Sequence, residues 1–133
     1  MRAWALAVLV ALLGCVALAA NQAPAKGTAP KYDKATEVKL KGTVMDVRNY
    51  ECPISGTMGA HVTLKLQDGS TIELHLAATK YVKSYEMVFN KGDEIEVTGS
   101  KVKFNGADTI LAREITRGQD SFVFRDENGK PVW

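Results

Sequence analysis

From Thr36 onward, apolar and polar residues alternate with a period of two. Val38 and Leu40 alternate with Glu37, Lys39 and Lys41, and Val44 follows Gly42. This predicts a first strand in which Gly42 permits a bulge or a sharp coil. Val62, Leu64 and Leu66 predict the buried face of a second strand, Ala60 to Leu66. Ile72, Leu74 and Leu76 do the same for a third, Thr71 to Leu76, after a turn at Asp68-Gly69-Ser70. The intervening stretch Tyr50 to Gly59 (YECPISGTMG) reads as a loop from its proline and glycines.

The alternation breaks between Thr79 and Phe89. There Tyr81, Tyr85 and Val88 recur at helical spacing, and Asn90-Lys91-Gly92 supplies a stop. A fourth strand, Glu94 to Phe104, is interrupted at Gly99-Ser100 as by a bulge. Asn105-Gly106 signals a two-residue hairpin into a fifth strand, Ala107 to Thr116. A last hairpin, Phe122 to Trp133, turns at Asn128-Gly129 and lays Trp133 over an open edge. A helix between strands three and four is the OB arrangement, and small barrels need bends such as Gly42 and Gly99 allow. The expected fold is therefore all-β: a five-stranded OB-like barrel with one short helix and a C-terminal hairpin. An open meander packed on a helix is the simpler alternative.

The residues before this pattern have another origin. Arg2, the unbroken apolar run Ala3 to Leu13 and the small residues ending in Ala17-Leu18-Ala19-Ala20 form the layout of a secretory signal peptide over residues 1–20. Cleavage after Ala19 or Ala20 yields a periplasmic or secreted protein. Leu12-Leu13-Gly14-Cys15 is also a lipobox, and its use would anchor a lipoprotein to the membrane through Cys15. Residues 21–35, with two prolines, a glycine and lysines, read as a flexible tether, and residues 36–133 as one domain.

Charge then narrows the partners. The chain holds 17 basic and 15 acidic side chains, and Arg2 is the single charge in the export segment, so the exported part is nearly neutral. That excludes an electrostatic footprint for nucleic acid. The outward residues expected on strands two and three, His61, Thr63, Lys65, Thr71, Glu73 and His75, include no aromatic platform for stacking bases. The expected register sets Lys65 opposite Glu73 and Thr63 opposite His75, with His61 on the diagonal. The loop carrying Cys52 and Met58 runs into His61. Cys52, His61 and His75, with Met58 as a further soft donor, can then converge on copper or zinc. Solvated histidines and an inert or redox-active Cys52 thiol are the alternatives. No oxyanion motif, phosphate loop or third orienting residue accompanies Cys52 and His61, so the chain is read as no enzyme.

Three segments carry a resemblance: Lys91-Gly92-Asp93-Glu94-Ile95-Glu96-Val97-Thr98-Gly99-Ser100, Ile110-Leu111-Ala112-Arg113-Glu114-Ile115, and Phe124-Arg125-Asp126-Glu127-Asn128-Gly129-Lys130-Pro131-Val132-Trp133. They resemble small exported bacterial OB-fold proteins of largely unassigned function, and are similar to the C-terminal domain of magnetosome-associated (MamS/MamX-like) proteins. The resemblance implies a fold and an extracytoplasmic setting, and no activity. Such domains often sit in longer chains with haem motifs; this sequence has no Cys-x-x-Cys-His, which excludes haem attachment. The first functional expectation is a non-enzymatic exported binding module for a protein partner or small ligand. The second is a copper- or zinc-binding module using Cys52, His61 and His75.

Overall fold

A computed structural model describes residues 29–133. The export signal, both cleavage readings, Cys15 and the first part of the tether lie outside the described residues. The chain is all-β, with six strands and one short helix: β1 (Glu37–Cys52), β2 (Thr57–Leu66), β3 (Thr71–Ala78), α1 (Thr79–Ser84), β4 (Glu94–Phe104), β5 (Ala107–Arg117) and β6 (Asp120–Val123). The strand order is β3-β2-β1-β4-β5-β6, and a parallel β3–β5 pairing joins the first five into a ring. Among the described residues, no helix is long and apolar enough to cross a membrane.

Alternation sets the interior. Val44, Val62, Leu64, Leu74, Leu76, Val97, Ile110, Ile115 and Phe124 are all essentially inaccessible to solvent and form one cluster. Fully burying each such side chain stabilises by about 1.5–3 kcal/mol. α1 contributes Val82 to this core, and Phe89 beyond it joins the same cluster.

Several expectations need correcting. The Tyr50–Gly59 stretch is mostly strand: β1 runs to Cys52, β2 starts at Thr57, and only Pro53–Gly56 turns. The β1 bulge falls between Val44 and Asp46, not at Gly42, and it flips the alternation that the sequence seemed to end. The β2–β3 turn lies one residue earlier than expected. Leu66 N–H donates to Ser70 O (2.8 Å), and Gly69 has φ +85°, as in a type I turn closed by a left-handed residue. Consequently Lys65 faces Thr71, Thr63 faces Glu73, and His61 faces His75 directly.

The helix is also shorter than predicted. Met87 N–H donates to Val82 O (3.0 Å) and Glu86 N–H to Lys83 O (3.1 Å), with Glu86 at φ +51°. That is a Schellman stop, and it leaves Tyr85 and Val88 exposed instead of packed. A sixth strand was not foreseen: the Gly118-Gln119 turn brings Asp120–Val123 against β5. The expected terminal hairpin survives as an Arg125–Pro131 bridge, with Val132 N–H donating to Phe124 O (3.2 Å). The end of the expected tether is docked as well. Tyr32 Oη donates to Glu37 (2.6 Å), and Glu37 in turn accepts two hydrogen bonds from Arg113 (3.0 and 3.2 Å).

Gly99, like Gly42, marks a very close backbone approach. A Cβ there would lie 2.3 Å from the Leu111 carbonyl oxygen and 2.7 Å from Ile110 Cγ2, beside the bulge between Thr98 and Gly99. Neither neighbour is a flexible side-chain end. Gly99→Ala is expected to destabilise the domain by about 1–3 kcal/mol, read from urea unfolding midpoints at unchanged slope. An unchanged midpoint would mean that the β4–β5 crossing is looser than described.

Candidate metal centre

Three strands deliver the candidate ligands to one end of the ring. β1 and β2 pair Cys52 with Thr57, Tyr50 with Gly59 and Arg48 with His61, so Cys52, Tyr50 and His61 share a face. The β2–β3 register then adds His75 opposite His61. A register shift between Ala60 and His61 follows immediately, with an extra residue on β3. Below it the sheet stays in phase through Thr63–Glu73 and Lys65–Thr71.

The donors converge. One donor atom each from Cys52, His61 and His75 can be chosen so that all lie within 4.8 Å of one another. Cys52 Sγ is 3.5 Å from His75 Nδ1. A sulfur and a nitrogen sharing one zinc-like ion at about 2.3 and 2.0–2.1 Å would sit about 3.5 Å apart at a tetrahedral angle. The residues present therefore fit a metal. Met58, the further soft donor considered from sequence, does not join them. It pairs with Glu51 on the opposite face of the strands and is 43% exposed.

All three residues are buried, Cys52 and His75 at 4% and His61 at 2% exposure. The sequence placed the histidines on a solvated face. The face is the expected one, but this end of it is roofed. The Tyr50 ring stacks on His61 with centroids 3.7 Å apart and planes within 6°. His61 meets His75 edge to face at 4.5 Å, and Phe104 covers His75 in the same manner at 5.5 Å. Tyr50 Oη donates to Glu73, which holds the stacking ring in place and occupies the nearby carboxylate. The Pro53–Gly56 turn closes the side: Ser55 Oγ donates to Cys52 O (3.1 Å) and Gly56 N–H to the same oxygen (3.0 Å). Gly59 leaves room for this packing: a Cβ would meet Ser55 Oγ at 2.6 Å and His61 Cε1 at 3.1 Å, and both would have to shift.

Burial has an electrostatic consequence. Desolvation pulls the His61 pKa below its ordinary value, with the Glu73 carboxylate opposing it. Desolvation, then the neighbouring His61, depress His75 to about 4. Both imidazoles are therefore neutral near pH 7, which is the form that binds metals. His61 Nδ1 and His75 Nε2 have no hydrogen-bond partner. Orphaned buried nitrogens are scarce in native proteins; the His75 nitrogen beside Cys52 Sγ is Nδ1, however, so an ion sharing those two atoms would leave Nε2 without a partner.

The family model for MamS/MamX magnetosome proteins matches residues 36–122, well over half the chain. The matched span covers β1 to β5 and all three ligand candidates. The chain belongs to the MamS/MamX magnetosome protein family. No curated protein matches it. The family match stops before Arg125 and Trp133, which pack on each other with the guanidinium carbon 5.0 Å from the ring centroid. Tyr50, Gly59, Phe104 and Glu73 were not recognised in the sequence as parts of the site. Reading β1 as continuing to Cys52 would have paired Tyr50 with Cys52 at spacing two.

Neutral buried His75 makes the metal-free domain acid-sensitive. Between its unfolded pKa of 6.5 and its folded pKa of about 4, the unfolded chain binds a proton that the folded one refuses. Stability therefore rises with pH in that window. Acidification from pH 7 to 4 should remove on the order of 3 kcal/mol. Thermal melts, with an NMR titration of the His75 ring to separate it from carboxylates, measure this. A His75 resonance titrating near 6.5 would show the ring to be solvated.

Proposed function

We propose that this MamS/MamX family member is an exported, OB-like, non-enzymatic module that holds a transition metal, copper or zinc, through Cys52, His61 and His75. The observation that carries the reading is the burial of three side chains with metal-ligating donor atoms, one from each lying within 4.8 Å of the others. Accidental clusters of ligands are usually exposed, where water satisfies them. Keeping three potential ligands dry at one point costs stability unless something binds there.

The OB-like description is supported by the ring β1–β2–β3–β5–β4 and by α1 between β3 and β4. Export is supported by the signal-peptide layout of residues 1–20. The metal reading takes precedence over a generic docking module because its residues meet, whereas no partner surface has comparable definition. The cavity touching both histidines measures about 10 Å³, a volume that suits an ion, while an open depression of about 470 Å³ borders Cys52 along Glu51, Pro53, Gly56 and Thr57.

The purified protein is expected to bind one equivalent of zinc or copper, measured by elemental analysis after desalting. His75→Ala should weaken binding by more than the roughly 10–100-fold that outer-sphere changes cause, with the circular dichroism spectrum unchanged. Metal retained at one equivalent by folded His75→Ala protein would remove this site from consideration.

A further inference from the structure

We infer that the Cys52–His61–His75 cluster is a three-coordinate copper(I) centre that takes copper in preference to zinc. This rests on the metal reading above and adds the identity of the ion, from ligand number and charge.

Ligand number comes first. Among the described residues, the cluster of acids, histidines and cysteines that can hold an ion contains three members and no carboxylate. Glu73 is engaged by the Tyr50 hydroxyl, and Met58 lies on the other face. Structural zinc is almost always four-coordinate and would require an added water. The cavity beside the histidines, lined by Ile54, Ser55, Leu76 and Trp133 among others, holds about 10 Å³, at the lower limit for one water molecule. Copper(I) makes no such demand on a fourth site.

Softness admits both metals, and charge separates them. A thiolate with two imidazoles suits zinc and copper alike, and where copper binds, thiolate favours its monovalent form. One proton leaves the Cys52 sulfur as the S–Cu bond forms, and no electron moves. Thiolate, two neutral imidazoles and Cu(I) sum to zero charge, whereas Zn(II) leaves the buried site at +1. The charged groups whose fields reach the two rings are Glu73, Arg48 and Arg125, and the last is itself 6% exposed and lacks a partner at Nε. Arg48 is paired with Asp46 (3.2 Å), so the surroundings are close to neutral, and an uncompensated positive charge in a buried site near Arg125 is disfavoured.

The test uses the exported protein, reduced and anaerobic. It is titrated with Cu(I) against a chromophoric Cu(I) chelator, and with Zn(II) against a zinc indicator, followed by X-ray absorption at the copper edge. The expected result is one Cu(I) per chain, bound by one sulfur and two nitrogens, and displacement of preloaded zinc by one equivalent of Cu(I). Cys52→Ser should lose Cu(I) binding while melting cooperatively. Should that variant fail to fold, bound Cu(I) must instead protect the wild-type Cys52 thiol from alkylation. Zinc retained against equimolar Cu(I), or a copper sphere lacking sulfur, overturns the inference. Zinc uptake without copper uptake sinks this inference alone and leaves the broader metal reading standing. Uptake of neither metal sinks both.

Discussion

The direct pairing of His61 with His75 across β2 and β3 is the constraint on which the functional end of this protein depends. Side chains opposite each other on antiparallel strands are about 5 Å apart, close enough for two rings to meet edge to face. A slip of one residue would send one imidazole to the other face. Two things hold the register. Val62, Leu64, Ile72 and Leu74 are buried only in this phase, and the Gln67-Asp68-Gly69 turn fits it through the left-handed Gly69. The core therefore fixes the site, even though the site lies on the opposite side of the sheet from the core residues of the same strands.

The same sheet face has two characters along its length. At the Lys65–Thr71 end it is open to solvent, while at the His61–His75 end it is dry. The difference is made by residues distant in sequence: Tyr50 from β1, Phe104 from β4 and the Pro53–Gly56 turn. Burying imidazoles in this way stabilises their neutral, ligating form and makes the metal-free domain acid-sensitive. A bound ion would offset the desolvation cost of the ring nitrogens that it engages. On that face Glu73 is engaged by Tyr50 and Asp46 by Arg48, which leaves a sulfur and two nitrogens in the cluster.

Much of the fold was legible in the sequence because its signals are local. The period-two runs placed five strands, and Asn105-Gly106, with φ +50° and +79°, forms the hairpin turn its residues suggested. The three candidate ligand residues were also legible, since strand parity alone puts His61 and His75 on one face. Failures came where a non-local effect overrode a local signal. Pro53, Gly56 and Gly59 made Tyr50–Gly59 read as loop, whereas pairing of β1 with β2 carries the strands through to Cys52 and from Thr57. α1 stopped early because Glu86 took a left-handed conformation that its residue type does not advertise. Burial of the histidines was invisible, because nothing in residues 61–75 specifies that Tyr50 and Phe104 will cover them. Met58 looked available only while its segment was taken for a flexible loop.

The measurement that tests the central claim most directly is a crystal structure of the metal-loaded protein with anomalous data collected at the metal edge. One strong anomalous peak is expected per chain, within bonding distance of Cys52 Sγ and of one nitrogen each from His61 and His75, with little movement of the surrounding strands. A peak bound elsewhere, on surface carboxylates such as Glu96 or Asp108, with the buried cluster unchanged, would contradict it.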